Sequence, residues 1–336
     1  MDSYALSSSL PVARGLIVAP WVAHVQRLGA PAEALLVRAG IPPELLQHPT
    51  AAISLKKCLR WIELACQSLG TEQLGLQVAA ASSNEDLGAY GRILSSAVTL
   101  YQYLHQGISL YGTVVLGQSF LLSTHGTQVR LHLHSPWAPA LGDYQSHLNS
   151  FAITIANIRR FAGAGWGPDK ISFGFRFREE IPPTEIFDGA RVVYRPGESY
   201  LEFPRAMLGQ RCCLAARTSA AGQSAIAEPL PKDLAGLVEL QIESLLSGRA
   251  MTVDLVAETI GMSRRSLQRG LAAQGVSYTE LLTAIRLRRA AEWLGDTDKP
   301  VVEIALELGY TDASNFTRAF RQQTGVAPKT FRESAQ

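Results

Sequence analysis

The segment VAETIGMS at 256–263 returns in related form as IALELGYT at 304–311. Each copy ends a helical pattern on a glycine, and a second amphipathic segment follows, LQRGL at 267–271 and FTRAF at 316–320. The second copy has one more residue between its glycine and its arginine than the first. This internal repeat predicts two copies of one unit, in which a helix, a tight turn and a second helix follow one another.

Each copy contains the residue types that such a unit needs. A small residue lets two helices cross closely, a glycine adopts the left-handed conformation after a helix, and a polar residue caps the next helix. In the first copy these residues are Ala257, Gly261 and Ser263, and in the second they are Ala305, Gly309 and either Thr311 or Asp312. The pairs Leu267 with Leu271 and Phe316 with Phe320 are spaced to face a core.

The chain between the two copies predicts one long helix from Tyr278 to Leu294. Its apolar side chains are expected to pack on both units, and they are Leu287, Ala290, Ala291 and Leu294. A helix of this kind holds the second helix of one unit at a fixed distance from the second helix of the other. Two such helices about one DNA turn apart, ~34 Å, could enter successive major grooves.

The distribution of charge favours DNA as the partner, although the net charge is only +2. The range 263–289 holds six basic residues and one acid, Glu280, and the range 313–332 holds four basic residues and no acid. Positive stripes in a nearly neutral protein are typical of sequence-specific DNA-binding domains. A solvated helix face would give the same counts, so charge alone does not decide between the two interpretations.

The range 257–332 resembles the AraC/XylS family of transcription regulators. The matching segments are SRRSLQRGLAAQGVSY at 263–278, RLRRAAEWL at 286–294 and GYTDASNFTRAFRQQTGVAPKTFR at 309–332. The resemblance implies an all-α DNA-binding domain at 234–336, with two helix-turn-helix units joined by a long helix. It also implies double-stranded promoter DNA and RNA polymerase as partners.

The residues expected to bind DNA lie on the second helix of each unit. Arginine can bind guanine, and glutamine can bind adenine, through two hydrogen bonds. By the family motif, Arg265, Gln268 and Arg269 face the groove. Ser263 and Arg264 are expected to bind DNA beside them, and for Arg264 a phosphate-facing or solvated position is expected. The corresponding residues of the second unit are Ala313, Ser314, Asn315, Thr317 and Arg318. Arg321 and Lys329 are expected to contact phosphates. An alternative for Arg269 and Arg318 is an ion pair inside the domain.

The first 216 residues predict an α+β domain with helices and a small antiparallel sheet. Helical spacing occurs at 16–39, 55–69, 87–111 and 143–160, and strands are expected at 119–123, 128–134, 171–177, 190–194 and 200–203. Val129, Leu131 and Leu133 should form the buried face of a hairpin. The range 217–233 is rich in small and polar residues with two prolines, and it predicts a linker.

This N-terminal region is similar to the ligand-binding domain of an AraC/XylS branch that includes an ornithine-utilisation regulator and fatty-acid-responsive virulence regulators. LGAY at 87–90, LSS at 94–96 and the range from Phe173 through Pro182 to Phe203 and Leu208 carry the similarity. It implies a module that binds a small-molecule effector, a fatty acid or an amino acid, and that forms a homodimer. The pocket residues cannot be assigned from the sequence. Neither can the choice between activator and repressor.

The sequence contains no catalytic motif. We therefore do not expect the protein to be an enzyme, and we expect neither catalytic residues nor a cofactor. Fusion to a DNA-repair-like enzyme is the alternative, but such enzymes need a metal-bound cysteine cluster. Cys58 and Cys66 lie alone on a helical pattern. A third possibility is a domain that only dimerises. A metal at His132, His134 and His147, and redox sensing by Cys212 and Cys213, are weaker hypotheses than solvated or packed side chains.

The length and composition fit a two-domain cytosolic protein. The chain has 336 residues, and 47% of them are hydrophobic, which is enough for a core in each domain. No apolar run approaches the ~18 residues that span a bilayer, so no membrane partner is expected. The first ten residues, MDSYALSSSL, carry an acid and no basic segment, and a secretory signal is not expected either.

Overall fold

The computed structural model describes residues 10–137, 140–174, 186–187, 189–213, 228–246 and 251–335. The chain divides into two compact units. One comprises Leu10–Pro49 and Ile53–Leu230, and the other contains Pro231–Gln336. The linker at 217–233 stays a prediction, because residues 217–227 of it lie outside the described residues.

The first unit, called the N-terminal unit below, contains seven described α-helices. They are α1 (Gly15–Arg27), α2 (Ala32–Ala39), α3 (Leu55–Leu69), α4 (Leu74–Ala81), α5 (Gly88–Ser95), α6 (Leu100–Leu110) and α7 (Leu141–Ala162). The helical pattern at 16–39 thus forms two helices. The break falls at Gly29, whose φ is 81°, and Pro31, which has no N–H to donate to a helix.

The strands of this unit form two sheets. They are β1 (Val12–Arg14), β2 (Ala52–Ser54), β3 (Val115–Leu116), β4 (Ser119–His125), β5 (Gln128–His134), β6 (Lys170–Phe173), β7 (Arg191–Tyr194) and β8 (Ser199–Pro204). The larger sheet has the order β4-β5-β8-β6-β7, and only β6 and β7 pair in parallel. The smaller has the order β2-β1-β3, and the sequence did not predict it.

The predicted hairpin is confirmed, with Gly126 at φ 60° in its turn. Val129, Leu131 and Leu133 are buried as expected. The strand expected at 171–177 begins at Lys170 and runs to Phe173, and residues 175–177 lie outside the described part of the chain. The fold is therefore α+β, as predicted.

Helix α7 forms the centre of this unit. Its apolar side chains pack on the inner face of the larger sheet, in a cluster that includes Phe151, Ile155, Phe173 and Leu201. Complete burial of side chains of this size stabilises the fold by about 1.5–3 kcal/mol each. The same helix also contacts α3 and α4, so it joins the sheet to the helical layer.

The second unit, called the C-terminal unit below, is entirely helical in its described residues. Its helices are α8 (Leu234–Leu245), α9 (Val253–Thr259), α10 (Arg264–Ala273), α11 (Tyr278–Asp296), α12 (Val301–Glu307), α13 (Ala313–Thr324) and α14 (Pro328–Ala335). Helix α10 packs on α8 and α9, and α13 packs on α12 and α14. The long helix α11 contacts α8, α12 and α14. The predicted arrangement of two helix-turn-helix units joined by a long helix is confirmed.

Candidate nucleic-acid interface

The two helix-turn-helix units share one turn geometry. Gly261 and Gly309 have φ values of 78° and 79°. In the first unit, Gly261 N donates to Glu258 O at 3.1 Å, and Met262 N donates to Ala257 O at 2.8 Å. This pair of bonds is the Schellman motif, in which a left-handed residue ends a helix.

The second unit repeats these bonds at the equivalent positions. Gly309 N donates to Leu306 O at 2.9 Å, and Tyr310 N donates to Ala305 O at 3.0 Å. Ala257 and Ala305 are both buried, as expected where two helices cross. The angle at which each second helix leaves its turn is therefore set by the same backbone bonds in both units.

Each second helix begins at a polar cap. Ser263 Oγ accepts a hydrogen bond from Ser266 N at 3.1 Å, and Asp312 Oδ1 accepts one from Asn315 N at 2.7 Å. Asp312 rather than Thr311 is thus the cap of the second unit. Its pKa lies below the ordinary value, chiefly because the backbone N–H of Asn315 donates to the carboxylate. Both helices therefore begin where the sequence predicted.

Helix α10 presents three polar side chains on one exposed face. Arg265, Gln268 and Arg269 are spaced by three and four residues, and all three are exposed. Leu267 and Leu271 on the opposite side are fully buried. Within the described residues, these three side chains make no hydrogen bond or ion pair, so their donors are free for another molecule. The internal ion pair considered for Arg269 does not form there.

Arg264 is placed differently from its neighbours on α10. Its Nη1 lies 3.2 Å from Asp254 Oδ2, and both side chains are more than half exposed. An exposed pair of this kind contributes ~0–1 kcal/mol. Arg264 is therefore held beside the first helix of its unit by a weak contact.

Helix α13 presents a face with a different chemistry. Ser314 is exposed, and Ala313 and Thr317 are partly buried. Arg318 donates from Nη2 to Asn315 Oδ1 at 2.7 Å. Asn315 in turn donates from Nδ2 to Asp312 Oδ2 at 2.7 Å. Among the predicted site residues, Asn315 and Arg318 are thus engaged by the cap of their own helix.

Two further basic residues, Arg321 on α13 and Lys329 on α14, are exposed. Neither side chain makes a hydrogen bond or ion pair to any described residue. By helical spacing, Arg321 shares a face with Ser314 and Arg318. Of the basic residues counted in the sequence, four thus lack a partner in the described chain, and these are Arg265, Arg269, Arg321 and Lys329.

The remaining basic residues of the two stripes are engaged inside the C-terminal unit. Arg288 pairs with Glu243, and Arg289 pairs with Glu292. Arg332 donates from Nε to Leu294 O at 3.4 Å, at the end of α11. Arg288 thus links α11 to α8 and Arg332 links α14 to α11, whereas Arg289 pairs within α11. The charge count therefore overestimates the number of unpaired cations available to DNA.

Arg286 on α11 is also engaged, and it contacts the turn of the second unit. Its Nη2 donates to Gly309 O at 3.3 Å, and its guanidinium lies 5.1 Å from the centre of the Tyr310 ring. Burial lowers the pKa of Arg286. The long helix is thereby fastened to the glycine turn that sets the direction of α13.

Helices α8 and α14 complete the two units, and the sequence predicted only that this region is helical. Asp233 caps α8 by accepting from Gly236 N at 2.8 Å. A Cβ on Gly270 would lie 2.5 Å from Leu234 Cδ2, so α10 and α8 are in close contact. Phe331 of α14 packs edge-on against Phe320, with ring centres 5.4 Å apart. Asp233 and Pro328 are the local signals that could have marked where both helices begin.

The histidines and cysteines considered for a metal site have other surroundings in the structure. His147 Nδ1 lies 3.0 Å from Ser199 Oγ, and His132 Nε2 lies 2.8 Å from Ser123 Oγ. Within the described residues, no group of three histidine, cysteine, aspartate or glutamate side chains could hold a metal ion. Burial raises the pKa of the Cys58 and Cys66 thiols to about 12, which disfavours the thiolate that a nucleophile needs.

Known proteins resemble the chain over both units. The family described as "Arabinose-binding domain of AraC transcription regulator, N-term" matches residues 29–212, more than half of the chain. The family described as "Helix-turn-helix domain" matches residues 256–334. None of the helices in the described residues has the length and apolar character that crossing a membrane requires.

Individual relatives are similar along nearly the whole chain. The ornithine utilization regulator of Pseudomonas aeruginosa is 27% identical over 322 residues, which cover 92% of this chain and 93% of that protein. The transcriptional regulator VirS of Mycobacterium tuberculosis is 25% identical over 317 residues, 92% of each chain. The crystal structure of the regulator CdpR from Pseudomonas aeruginosa covers 90% of this chain and 96% of its own, with 21% identity and a TM-score of 0.41.

Proposed function

This chain belongs to the AraC family of DNA-binding transcription regulators, and we propose that its two helix-turn-helix units read two unequal blocks of one operator. The family that the sequence motifs indicated is confirmed by both family matches. The chain also carries the family's N-terminal ligand-binding domain. The relatives described above are named as regulators, and they lend no support to the enzymatic alternative.

The observation that carries the proposal is the contrast between α10 and α13. Arg265, Gln268 and Arg269 are exposed and unengaged within the described residues, so α10 supplies the base-specific hydrogen bonds. Each bidentate contact to a base contributes ~1–3 kcal/mol of discrimination. On α13, Arg318 is held by Asn315, and the small side chains of Ala313, Ser314 and Thr317 suit thymine methyl groups. The α13 block is therefore read more weakly.

The phosphate contacts come from cations outside the base-reading positions. Arg321 and Lys329 lack partners in the described chain, and Arg264 is held only by an exposed pair with Asp254. The N-terminus of each second helix adds backbone N–H groups beside Ser263 and Asp312. Such contacts fix the position of the protein on the duplex without selecting a sequence.

The N-terminal unit is the site of regulation in this proposal. It binds a small-molecule effector and forms a homodimer, and the complex acts on RNA polymerase in the cytoplasm. The name of the Pseudomonas aeruginosa relative supports an amino-acid-related effector. The resemblance to fatty-acid-responsive regulators supports a fatty acid as the other candidate.

The test is a selection of random double-stranded DNA on the purified full-length protein, followed by sequencing. We expect two enriched blocks with centres about one helical turn apart. Arg265→Ala should abolish selection of one block, whereas Arg289→Ala removes the same charge from a side chain paired with Glu292 and should leave both blocks enriched. Enrichment without any shared sequence, with and without amino-acid and fatty-acid pools, would contradict the proposal.

A further inference from the structure

The N-terminal unit contains a cavity of about 310 Å³ between the end of α4, the turn that follows it, α5 and α7. This volume lies at the lower end of the ~300–1,000 Å³ that small-molecule sites occupy. Most of its lining residues are polar, and those used below are Ser83, Asn84, Glu85, Ser95, Asn157 and Arg160.

The cavity walls are held by hydrogen bonds between separate elements. Asn84 Nδ2 donates to Asn157 Oδ1 at 2.7 Å, and Asn157 Nδ2 donates to Asn84 Oδ1 at 3.1 Å. Asn84 Nδ2 also donates to Ser95 Oγ at 3.1 Å. A Cβ on Gly91 would lie 1.7 Å from Asn84 O, so this turn packs directly on α5. The cavity is therefore built in before any ligand arrives.

Two opposite charges line the cavity. Arg160 donates from Nη2 to Ser95 O at 2.9 Å and from Nη1 to Asn157 Oδ1 at 3.4 Å. These acceptors are neutral, and the guanidinium has no carboxylate partner among the described residues. Glu85 is exposed, and its carboxylate makes no hydrogen bond or ion pair in the described chain. One cation and one anion, each without a counter-charge, complement a molecule that carries both charges.

A second cavity among the described residues of this unit suits a smaller and less polar occupant. It measures about 70 Å³ and lies among Trp21, Cys58 and Trp61, with Asn149 at its edge. That volume is about twice the ~30 Å³ that one water molecule occupies in the liquid, and it is too small for a long acyl chain. The polar lining of the larger cavity likewise disfavours an acyl chain, because its amides and charges would lose water without compensation.

We infer that the larger cavity is the effector site and that it takes a zwitterionic amino acid, with the carboxylate on Arg160 and the ammonium on Glu85. This inference rests on the proposed function, since it assigns the effector of the regulator. The hydroxyl groups of Ser83 and Ser95 and the amides of Asn84 and Asn157 line the same cavity. The charge pattern thus selects amino acids over fatty acids.

The experiment measures the thermal stability of the full-length protein with each of the twenty common L-amino acids, with L-ornithine and with palmitate. At least one amino acid should raise Tm, because a ligand that binds only the folded state stabilises it. The amine without the carboxylate, and the acid without the α-amine, should each raise Tm less than the complete amino acid. Palmitate should not raise Tm.

Variants then locate the binding site. Arg160→Gln and Glu85→Gln should each raise the Kd of that amino acid at least about tenfold, as expected for loss of a charge-assisted hydrogen bond. Arg38→Gln and Glu33→Gln, on exposed positions of α2, should leave the Kd unchanged. Ala156 is exposed and lines the cavity, so Ala156→Trp should fill the space and abolish binding even if Arg160→Gln fails to fold.

The outcomes separate this inference from the proposed function. No response to any amino acid, or a Kd unaffected by Glu85→Gln and Ala156→Trp, would overturn the inference. Selection of operator DNA by the same preparations is measured independently. If the two blocks are still enriched, the regulator function stands and only the effector site is wrong.

Discussion

Arg318 Nη2 lies 2.7 Å from Asn315 Oδ1, and Asn315 Nδ2 lies 2.7 Å from Asp312 Oδ2. The arginine of the second recognition helix is thereby linked to the cap of that helix. Its counterpart in the first repeat, Arg269, is exposed and has no such link in the described chain. To contact a base, Arg318 must first leave Asn315, a loss of about 0.5–1.5 kcal/mol for an ordinary hydrogen bond.

The first prediction compares these two arginines. Arg269→Ala should weaken binding to the selected operator by ~1–3 kcal/mol, because a direct base contact is lost. Arg318→Ala should cost at least about 1 kcal/mol less, because its contact replaces an existing bond. Binding is measured on the operator and on scrambled DNA at one salt concentration. An equal or greater loss for Arg318→Ala on the operator would show that α13 reads bases as strongly as α10.

The second prediction concerns the phosphate contacts of Arg321 and Lys329. Removing one phosphate contact should reduce the slope of log K against log salt by about 0.9. Arg321→Ala and Lys329→Ala should do so equally on operator and on scrambled DNA, because phosphates carry no sequence information. Arg289→Ala is the control with the same charge change and should leave the slope unchanged. A loss confined to the operator would instead make the residue a base reader.

The repeat could be predicted from the sequence because its determinants are local. Gly261 and Gly309 each donate to a carbonyl three positions earlier, and the residue after each glycine donates to a carbonyl five positions earlier. Ser263 accepts from the N–H three positions later. All of these partners lie within one short segment. Their spacing was therefore readable without any knowledge of the tertiary structure.

The third prediction tests those glycine turns. Gly261→Ala should destabilise the C-terminal unit by about 1–2 kcal/mol, because an L-residue with a Cβ is strained at a φ of 78°. Gly261→Asn should cost less, since asparagine tolerates this conformation. Chemical denaturation followed by circular dichroism measures both. Equal losses would mean that another contact of the turn, and not its backbone conformation, determines the cost.

The sequence does not distinguish the arginines that are free to bind DNA from those that are bonded inside the C-terminal unit. Arg286, Arg288 and Arg332 belong to the same basic stripes as Arg269, and composition treats them alike. Their partners are Gly309 O, Glu243 and Leu294 O, which are distant along the chain. Only the tertiary structure brings these groups together.

The strands of the small sheet were missed because they are short: β1 and β2 have three residues each, too few to show alternation.

The fourth prediction follows from the contact of Arg286 with the second turn. Arg286→Met keeps an unbranched chain as long as the arginine stem up to Nε, and it removes the bond to Gly309 O and the contact with the Tyr310 ring. Stability should fall by less than about 2 kcal/mol, the combined size of such contacts. Affinity for the complete operator should fall more than affinity for an operator whose α13 block is scrambled. Equal losses on both DNAs would show that Arg286 does not position the second unit.

The fifth prediction is a dependence of stability on pH through His147. Burial lowers its pKa from 6.5 to about 3 in the folded protein. Below about pH 6.5 the unfolded chain therefore binds a proton that the folded chain does not, and stability falls as the pH decreases towards 3. The loss from this residue between pH 6.5 and pH 5 should be about 2 kcal/mol.

The test for His147 is denaturation from pH 7 to pH 5 followed by tryptophan fluorescence, since Trp21, Trp61, Trp137 and Trp166 all belong to the N-terminal unit. His147→Asn should have a smaller pH slope than the natural protein over this range. His105→Asn is the matched control, because His105 is exposed on α6. The same slope in His147→Asn and the natural protein would place the titration on another group.

The central claim is that α10 and α13 occupy two successive major grooves with unequal readout. Methylation interference on the selected operator tests it directly, because methylation of guanine N7 blocks contacts in the major groove. The account predicts two windows of interference with centres about 10 base pairs apart, and loss of the stronger window in Arg265→Ala. A single window, or two windows that Arg265→Ala leaves intact, would contradict it.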